Sequence, residues 1–149
     1  MEISAVVVAR KGSRRIPNKA LQRFADDSLV GHKVRQLLAC TRIHRVIVGS
    51  DCPEILRLAS QAGAEPVKRP DLYCNEVASS ANDMIGNMCS LIQTDVVVWA
   101  HCTNPLIQAA TYDEAVSTFL AKLDDGFDSL ASVDVVQEHF WDKQSHRPL

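Results

Sequence analysis

The sequence predicts an α/β fold, a three-layer sandwich built on a mainly parallel sheet. Short β-branched runs with almost no polar interruption alternate with helical patterns of ten or more residues. The runs are apolar at consecutive positions, as in strands covered on both faces. The length of 149 residues suits one domain, and 46% hydrophobic and 23% charged residues are close to the globular average.

Ile3 to Ala9 is the first such run. Arg10 to Lys19 is a polar, basic loop containing Gly12 and Pro17. Leu29 to Cys40 fits a helix capped by Ser28, with Leu29, Val30, Lys33, Val34, Leu37 and Leu38 as its stripe. Arg45 to Gly49 reads as the second strand. Asp51 and Glu54 match a capping box, Pro53 sits in the first turn, and the helix runs to Gln61 or Ala62 before Gly63 stops it. Ala64 to Lys68 is a third strand. Ser79 to Ile92 is a helix with Ser79 as its cap, and Asp95 to Ala100 is a fourth strand. Thr111 to Leu123 is a helix, Ser129 to Val136 a fifth strand, and Glu138 to Leu149 is extended or irregular.

Composition narrows the function classes. A net charge of −2 argues against a general nucleic-acid binder. Apolar runs fall far short of the ~18 residues of a membrane helix. With a strand-like run directly after Met1-Glu2, no secretory leader is expected. Five cysteines (Cys40, Cys52, Cys74, Cys89, Cys102), without CxxC spacing, read as reduced thiols in a cytoplasm.

In open α/β sheets, ligands bind at the carboxyl ends of the strands. Here those ends are polar: Arg10-Lys11-Gly12-Ser13-Arg14-Arg15, then Gly49-Ser50-Asp51, Lys68-Arg69, and His101-Cys102-Thr103-Asn104. The first loop stands out. Residues 10 to 19 hold five bases and no acid, leaving 11 bases against 18 acids, a charge of −7, in the rest of the chain. Polyphosphate is a fitting partner. Arginine forks pair with phosphate oxygens, lysine adds a mobile charge, and Gly12-Ser13 lets backbone N–H groups approach an anion. A solvated basic loop is the plain alternative. The loop is not a Walker A sequence, and no Gly-x-Gly-x-x-Gly occurs.

Ala9-Arg-Lys-Gly-Ser-Arg-Arg-Ile-Pro-Asn-Lys-Ala-Leu21 resembles the signature loop of the CMP-sugar-acid synthetases, the cytidylyltransferases that activate sialic acid and related nonulosonic acids. It is similar also to the enzymes that activate the eight-carbon acid of lipopolysaccharide. Val46-Ile-Val-Gly-Ser-Asp51, Arg69-Pro70, Glu76-Val-Ala-Ser-Ser80, His101-Cys-Thr-Asn-Pro-Leu106 and Tyr112-Asp-Glu-Ala115 continue the resemblance in order. It implies a nucleotide-diphospho-sugar transferase-like, Rossmann-like fold. The implied activity joins CTP to a sugar acid, for lipopolysaccharide or capsule, and releases pyrophosphate.

By the resemblance, Arg10 and Lys19 hold the triphosphate and act in catalysis, and the backbone of Lys11, Gly12 and Ser13 wraps it. Arg69 and Ser80 contact the cytidine end, with Arg69 a reader of cytosine's carbonyl oxygen. His101, standing where the family commonly has glutamine, and Thr103 are candidate substrate or nucleotide contacts. Each has a plainer reading. Arg14 and Arg15 match the family loosely, Asp51 is explained as a helix cap, and His101 could simply be packed. Cys102 beside His101 suggests a thiol nucleophile, but neighbours in a strand point to opposite faces. Trp99, Met84 and Met88 read as core.

Two departures stand out. Ala20 replaces the asparagine that often follows the loop lysine. The family's Mg²⁺-binding aspartates lie in a C-terminal Asp-x-Asp segment not found after Val136, where Asp134 and Asp142 are isolated. The expected organisation is a CTP-binding core over residues 1–136 and the start of a truncated substrate and dimerisation region over 137–149. The complete protein is expected to be a homodimer. The expected partners are CTP, Mg²⁺ and a sugar acid, with neither nucleic acid nor membrane. The alternatives are a catalytically incomplete nucleotide-binding or assembly module, and a nucleotidyltransferase for another base or sugar.

Overall fold

A computed structural model describes residues 1–13, 16–135 and 141–147. Four parallel strands form the sheet: β1 (Ile3–Val8), β4 (Arg45–Ser50), β5 (Glu65–Lys68) and β6 (Val96–Ala100), in the order β5-β4-β1-β6. A two-residue antiparallel pair, β2 (Arg23–Phe24) and β3 (Asp27–Ser28), lies between β1 and the first helix. The helices are α1 (Leu29–Leu38), α2 (Pro53–Gln61), α3 (Ala81–Ser90) and α4 (Ala109–Leu123). Short 3₁₀ turns occupy Lys19–Leu21 and Asp71–Cys74.

The β-branched centre of β1 explains the layering. Ala5 and Val7 face one side and join Val30, Val34 and Leu37 of α1, Ile55 and Ala59 of α2, and Tyr112 of α4. Val6 faces the other side and meets Ile47 of β4 and Met88 of α3. Both faces of the sheet are therefore covered by helices, and the expected three-layer architecture is present. Gly49 of β4 is required by this packing: a Cβ there would collide with Met88 Sδ and Arg69 Cδ.

Several boundaries follow the sequence closely. Ser28 caps α1, its Oγ accepting from the Gly31 amide at 3.1 Å. Pro53 opens α2, and Gly63, with φ of 102°, follows its end. Other expectations are corrected. The α3 cap is Ser80 rather than Ser79, closed by a reciprocal box with Asp83. Helix α4 starts at Ala109, two residues before the expected Thr111. Asp51 is not a helix cap: Cys52 holds that position, and Ser50 Oγ accepts the Cys52 amide at 3.0 Å.

The expected fifth strand is absent over residues 129–135, which carry no regular structure and are exposed; Val136 lies outside the described residues. Alternating apolar residues there have strand propensity but no paired neighbour, and propensity alone does not hold a strand. Residues 141–147 form a turn closed by the Asp142 amide on the Arg147 carbonyl at 2.8 Å. No described helix is long and apolar enough to cross a membrane.

Candidate functional site

The parallel register brings the strand ends to one rim. Val8 of β1 lies opposite Gly49, and the ladder continues past the strands through Ala9 N–H to Gly49 O (3.1 Å) and Arg69 N–H to Ser50 O (2.9 Å). On the other side of β1, Val7 pairs with Ala100, so His101 follows at the same rim. Arg10, Arg69 and His101 thus leave adjacent strands on one edge. A cleft of about 820 Å³ opens there, within the ~300–1,000 Å³ usual for small-molecule sites.

Of the residues singled out in the sequence, Arg10, Ser13, Lys19, Arg69, Ser80, His101 and Thr103 line this cleft. Lys11 and Gly12 are exposed beside it but do not line it. Arg14 and Arg15 lie outside the described residues. Gly12 has φ of 71° and Asn18 φ of 49°, so the loop turns twice through the left-handed region. Asp51 anchors it: its Oδ1 accepts the Lys11 amide at 2.8 Å, which commits that amide to the protein rather than to a phosphate. Local spacing had suggested a cap, yet the partner lies 40 residues away.

The basic groups differ in freedom. Lys19 sits at the start of its 3₁₀ turn, half-buried, with its ammonium near the Cys102 thiol. Arg10 reaches from the end of β1 to the loop before α3, where its Nη2 pairs with Glu76 Oε1 at 2.5 Å. Its Nη1 makes a long contact of 3.5 Å with the Cys74 carbonyl. Arg69 is only 1% exposed, and its Nη2 donates to the carbonyls of Tyr73 (3.1 Å) and Met84 (3.2 Å). It therefore ties the 3₁₀ turn to α3, a structural duty that the sequence did not reveal. Its Nε is buried and has no hydrogen-bond partner among the described residues.

Ser80 has a second duty as well. Its Oγ accepts from the Asp83 amide and donates to Asp83 Oδ2 at 2.7 Å. Ala20 is buried in the core beneath the cleft, so its methyl fills space that an asparagine would make polar. His101 and Thr103 are exposed on the turn after β6. That turn is held by Asn104 N–H to His101 O (3.1 Å), while Gln36 Nε2 of α1 donates to the Pro105 carbonyl at 2.7 Å.

Cys102 alternates with His101 as expected: it is buried while His101 is exposed. Burial pushes its thiol up, against the opposing pull of Lys19 and Lys33, so it is protonated near neutrality and unsuited to nucleophilic attack. Beneath it lies Lys33, which the helical spacing had placed in an apolar stripe. Lys33 is fully buried, donates to the Tyr112 hydroxyl at 3.1 Å and lies 5.0 Å from that ring's centre. No acid pairs with it among the described residues, and burial lowers its pKa.

Sequence reasoning missed one wall of the cleft. Tyr73, Asn75 and Glu76 line it from the loop, and Met84 and Trp99 are half-buried on it rather than enclosed in the core; only Met88 is fully buried. The apolar surface of Trp99 and Met84 beside polar groups suits a ring with hydrogen-bonding edges. Metal chemistry is less well served. Among the described residues no group of three or more His, Cys, Asp or Glu could hold a metal, and Glu76, the one acid on the cleft wall, is paired with Arg10. The described residues lining the cleft do not make a Mg²⁺ site.

The cytidylyltransferase family's sequence model matches residues 4–146. The chain belongs to the cytidylyltransferase family. A 3-deoxy-manno-octulosonate cytidylyltransferase from Trichlorobacter lovleyi is 28% identical over 120 residues, covering 80% of this chain and 46% of that protein. N-acylneuraminate cytidylyltransferase A from Danio rerio is 29% identical over 131 residues, covering 88% of this chain and 30% of that protein. The fold agrees with a CMP:2-keto-3-deoxy-manno-octonic acid synthetase solved with CTP, at a TM-score of 0.71 and 17% identity, covering 83% of this chain and 49% of that one. The chain thus spans about half or less of the length of these relatives.

Proposed function

We propose that the chain is the nucleotide-binding part of a cytidylyltransferase that joins CTP to a sialic-acid-like sugar acid. The observation that carries this is the gathering of Arg10, Lys19 and Arg69 around one cleft at the carboxyl rim of the sheet, in a chain of this family. The curated relatives named above act on an octulosonate and on an acylneuraminate, which supports a sugar acid as acceptor.

In this reading the sugar's hydroxyl oxygen attacks the α-phosphorus of CTP as its proton passes to solvent, and pyrophosphate leaves with the electrons of the broken P–O bond. Catalysis then consists of positioning and of stabilising negative charge on the leaving oxygens. Arg10 and Lys19 supply that stabilisation from the first loop. Arg69 lines the part of the cleft assigned to the cytidine end, and Trp99 and Met84 provide the apolar wall. His101 and Thr103 stand exposed at the cleft mouth, where an acceptor would approach.

A second reading is a nucleotide-binding module without turnover, favoured by the absence of a metal-holding carboxylate group among the described residues. Pyrophosphate release, measured with CTP, Mg²⁺ and a panel of eight- and nine-carbon sugar acids, tests the proposal. Release that depends on both CTP and one acid supports the enzyme. CTP binding without release supports the module. Neither binding nor release refutes both readings.

A further inference from the structure

Arg10, the residue best placed to grip a phosphate, is already holding an anion in this structure. The Glu76 carboxylate sits on its Nη2 at 2.5 Å, and both side chains line the cleft. Arg10 is largely covered, with 24% of its side chain exposed, whereas Glu76 is 59% exposed. The acid therefore approaches from the solvent side, the side from which a ligand must enter.

The loop presents Glu76 in a fixed way. Asn75 gathers it: its carbonyl accepts the amides of Ala78 (3.1 Å) and Ser79 (3.0 Å), and its Oδ1 accepts the Val77 amide at 2.9 Å. The turn leads directly into the Ser80 cap of α3. Behind Arg10, the long contact with the Cys74 carbonyl keeps the guanidinium against the same loop.

We propose that Glu76 is an internal competitor for the phosphate site, a carboxylate latch on Arg10 that the incoming polyphosphate must displace. This rests on the reading of the cleft as a phosphate-binding site. A guanidinium edge binds one oxyanion group well, so a phosphate docking on Nη2 breaks the Arg10–Glu76 pair. The displaced carboxylate then stands near like charge. Both effects subtract from the affinity of any anion that uses Arg10. Neither touches a ligand that lacks phosphates. The latch lowers apparent affinity by the fraction of molecules in which Arg10 is released.

A partly exposed pair of this kind is weak, so the effect is bounded: Glu76→Gln should bind the anion about two- to fivefold more tightly. The opposite role, in which Glu76 holds Arg10 ready for its ligand, predicts weaker binding in the same variant. The experiment compares wild type, Glu76→Gln, Arg10→Ala and the double variant, by calorimetry, with CTP, inorganic pyrophosphate and cytidine as probes. Circular dichroism checks that each variant keeps its fold.

The latch predicts tighter CTP and pyrophosphate binding in Glu76→Gln, unchanged cytidine binding, and less than a twofold effect of the same substitution in the Arg10→Ala background. Weaker or unchanged anion binding in Glu76→Gln overturns it, as does an equal gain without Arg10. Pyrophosphate binding that tightens while CTP fails to bind keeps the latch and refutes the cytidine reading. A wild-type protein that binds neither anion refutes both.

Discussion

Replacing Lys33 by methionine tests the most costly feature of the core. Lys33 is fully buried, and no acid pairs with it among the described residues. Exchanging a buried charged group for an apolar one of similar volume is often neutral or stabilises by about 1–4 kcal/mol. The substitution also leaves the Tyr112 hydroxyl without its 3.1 Å partner, and an unpaired buried hydroxyl costs about 1–3 kcal/mol. The two terms nearly cancel in Lys33→Met. They do not cancel in Lys33→Met with Tyr112→Phe, which removes the hydroxyl too and is expected to be stabilised by about 1–4 kcal/mol. Urea denaturation at pH 7 measures both.

The pH dependence of that difference has a definite sign. Burial lowers the Lys33 pKa below its ordinary value of 10.5. Between the lowered folded value and 10.5 the unfolded chain binds more protons, so wild-type stability from this group rises with pH across that window. Cys40, pushed up to about 11, and the raised Cys102 and Tyr112 act oppositely, because the folded chain keeps their protons longer. Lys33 pulls Cys40 and Cys102 down, so in Lys33→Met both rise further and the variant loses more stability at alkaline pH, an effect of the same sign. The stability of Lys33→Met relative to wild type should therefore fall as pH rises through the lowered Lys33 value toward 10.5. A constant difference, or a double variant less stable than wild type by more than about 2 kcal/mol, would refute the reasoning.

Three further outcomes follow from the cleft. Arg69→Met should destabilise the protein by about 2–4 kcal/mol in urea, since two buried carbonyls lose a charged donor; an effect confined to nucleotide affinity would show that the carbonyl bonds are incidental. Asp51→Ala should loosen the basic loop and weaken CTP binding several-fold while Asp51→Asn, which keeps an acceptor for the Lys11 amide, retains most of it; equal losses would point to charge instead. Ser80→Ala should cost about 1 kcal/mol of stability through loss of the α3 cap, read by thermal or urea unfolding.

The fold was legible in the sequence because buried parallel strands must be apolar on both faces, and Ile3–Val8 and Arg45–Ser50 are. The polar strand ends then pointed to a candidate site on one rim without knowledge of any side chain. What stayed hidden depends on contacts across the chain. Asp51 looks like a cap from its neighbours, but Lys11 claims it. Lys33 falls on an apolar stripe by spacing, yet its partner is Tyr112, 79 residues away. Residues 129–135 have the composition of a strand, and only the absence of a paired edge excludes it. The pair β2 and β3 is two residues long on each side, too short to leave a periodic signal. Trp99 and Met84 read as core because apolarity does not say whether a residue faces a helix or a cleft.

The central claim is that this cleft binds CTP through Arg10 and Lys19. Calorimetric titration of wild type, Arg10→Ala and Lys19→Ala with CTP, with ATP and UTP as competitors, tests it most directly. The account predicts saturable binding that prefers CTP and weakens at least about tenfold in each variant, because each removes a charge-assisted contact to phosphate. CTP affinity unchanged in both variants, or a preference for ATP or UTP, would contradict it.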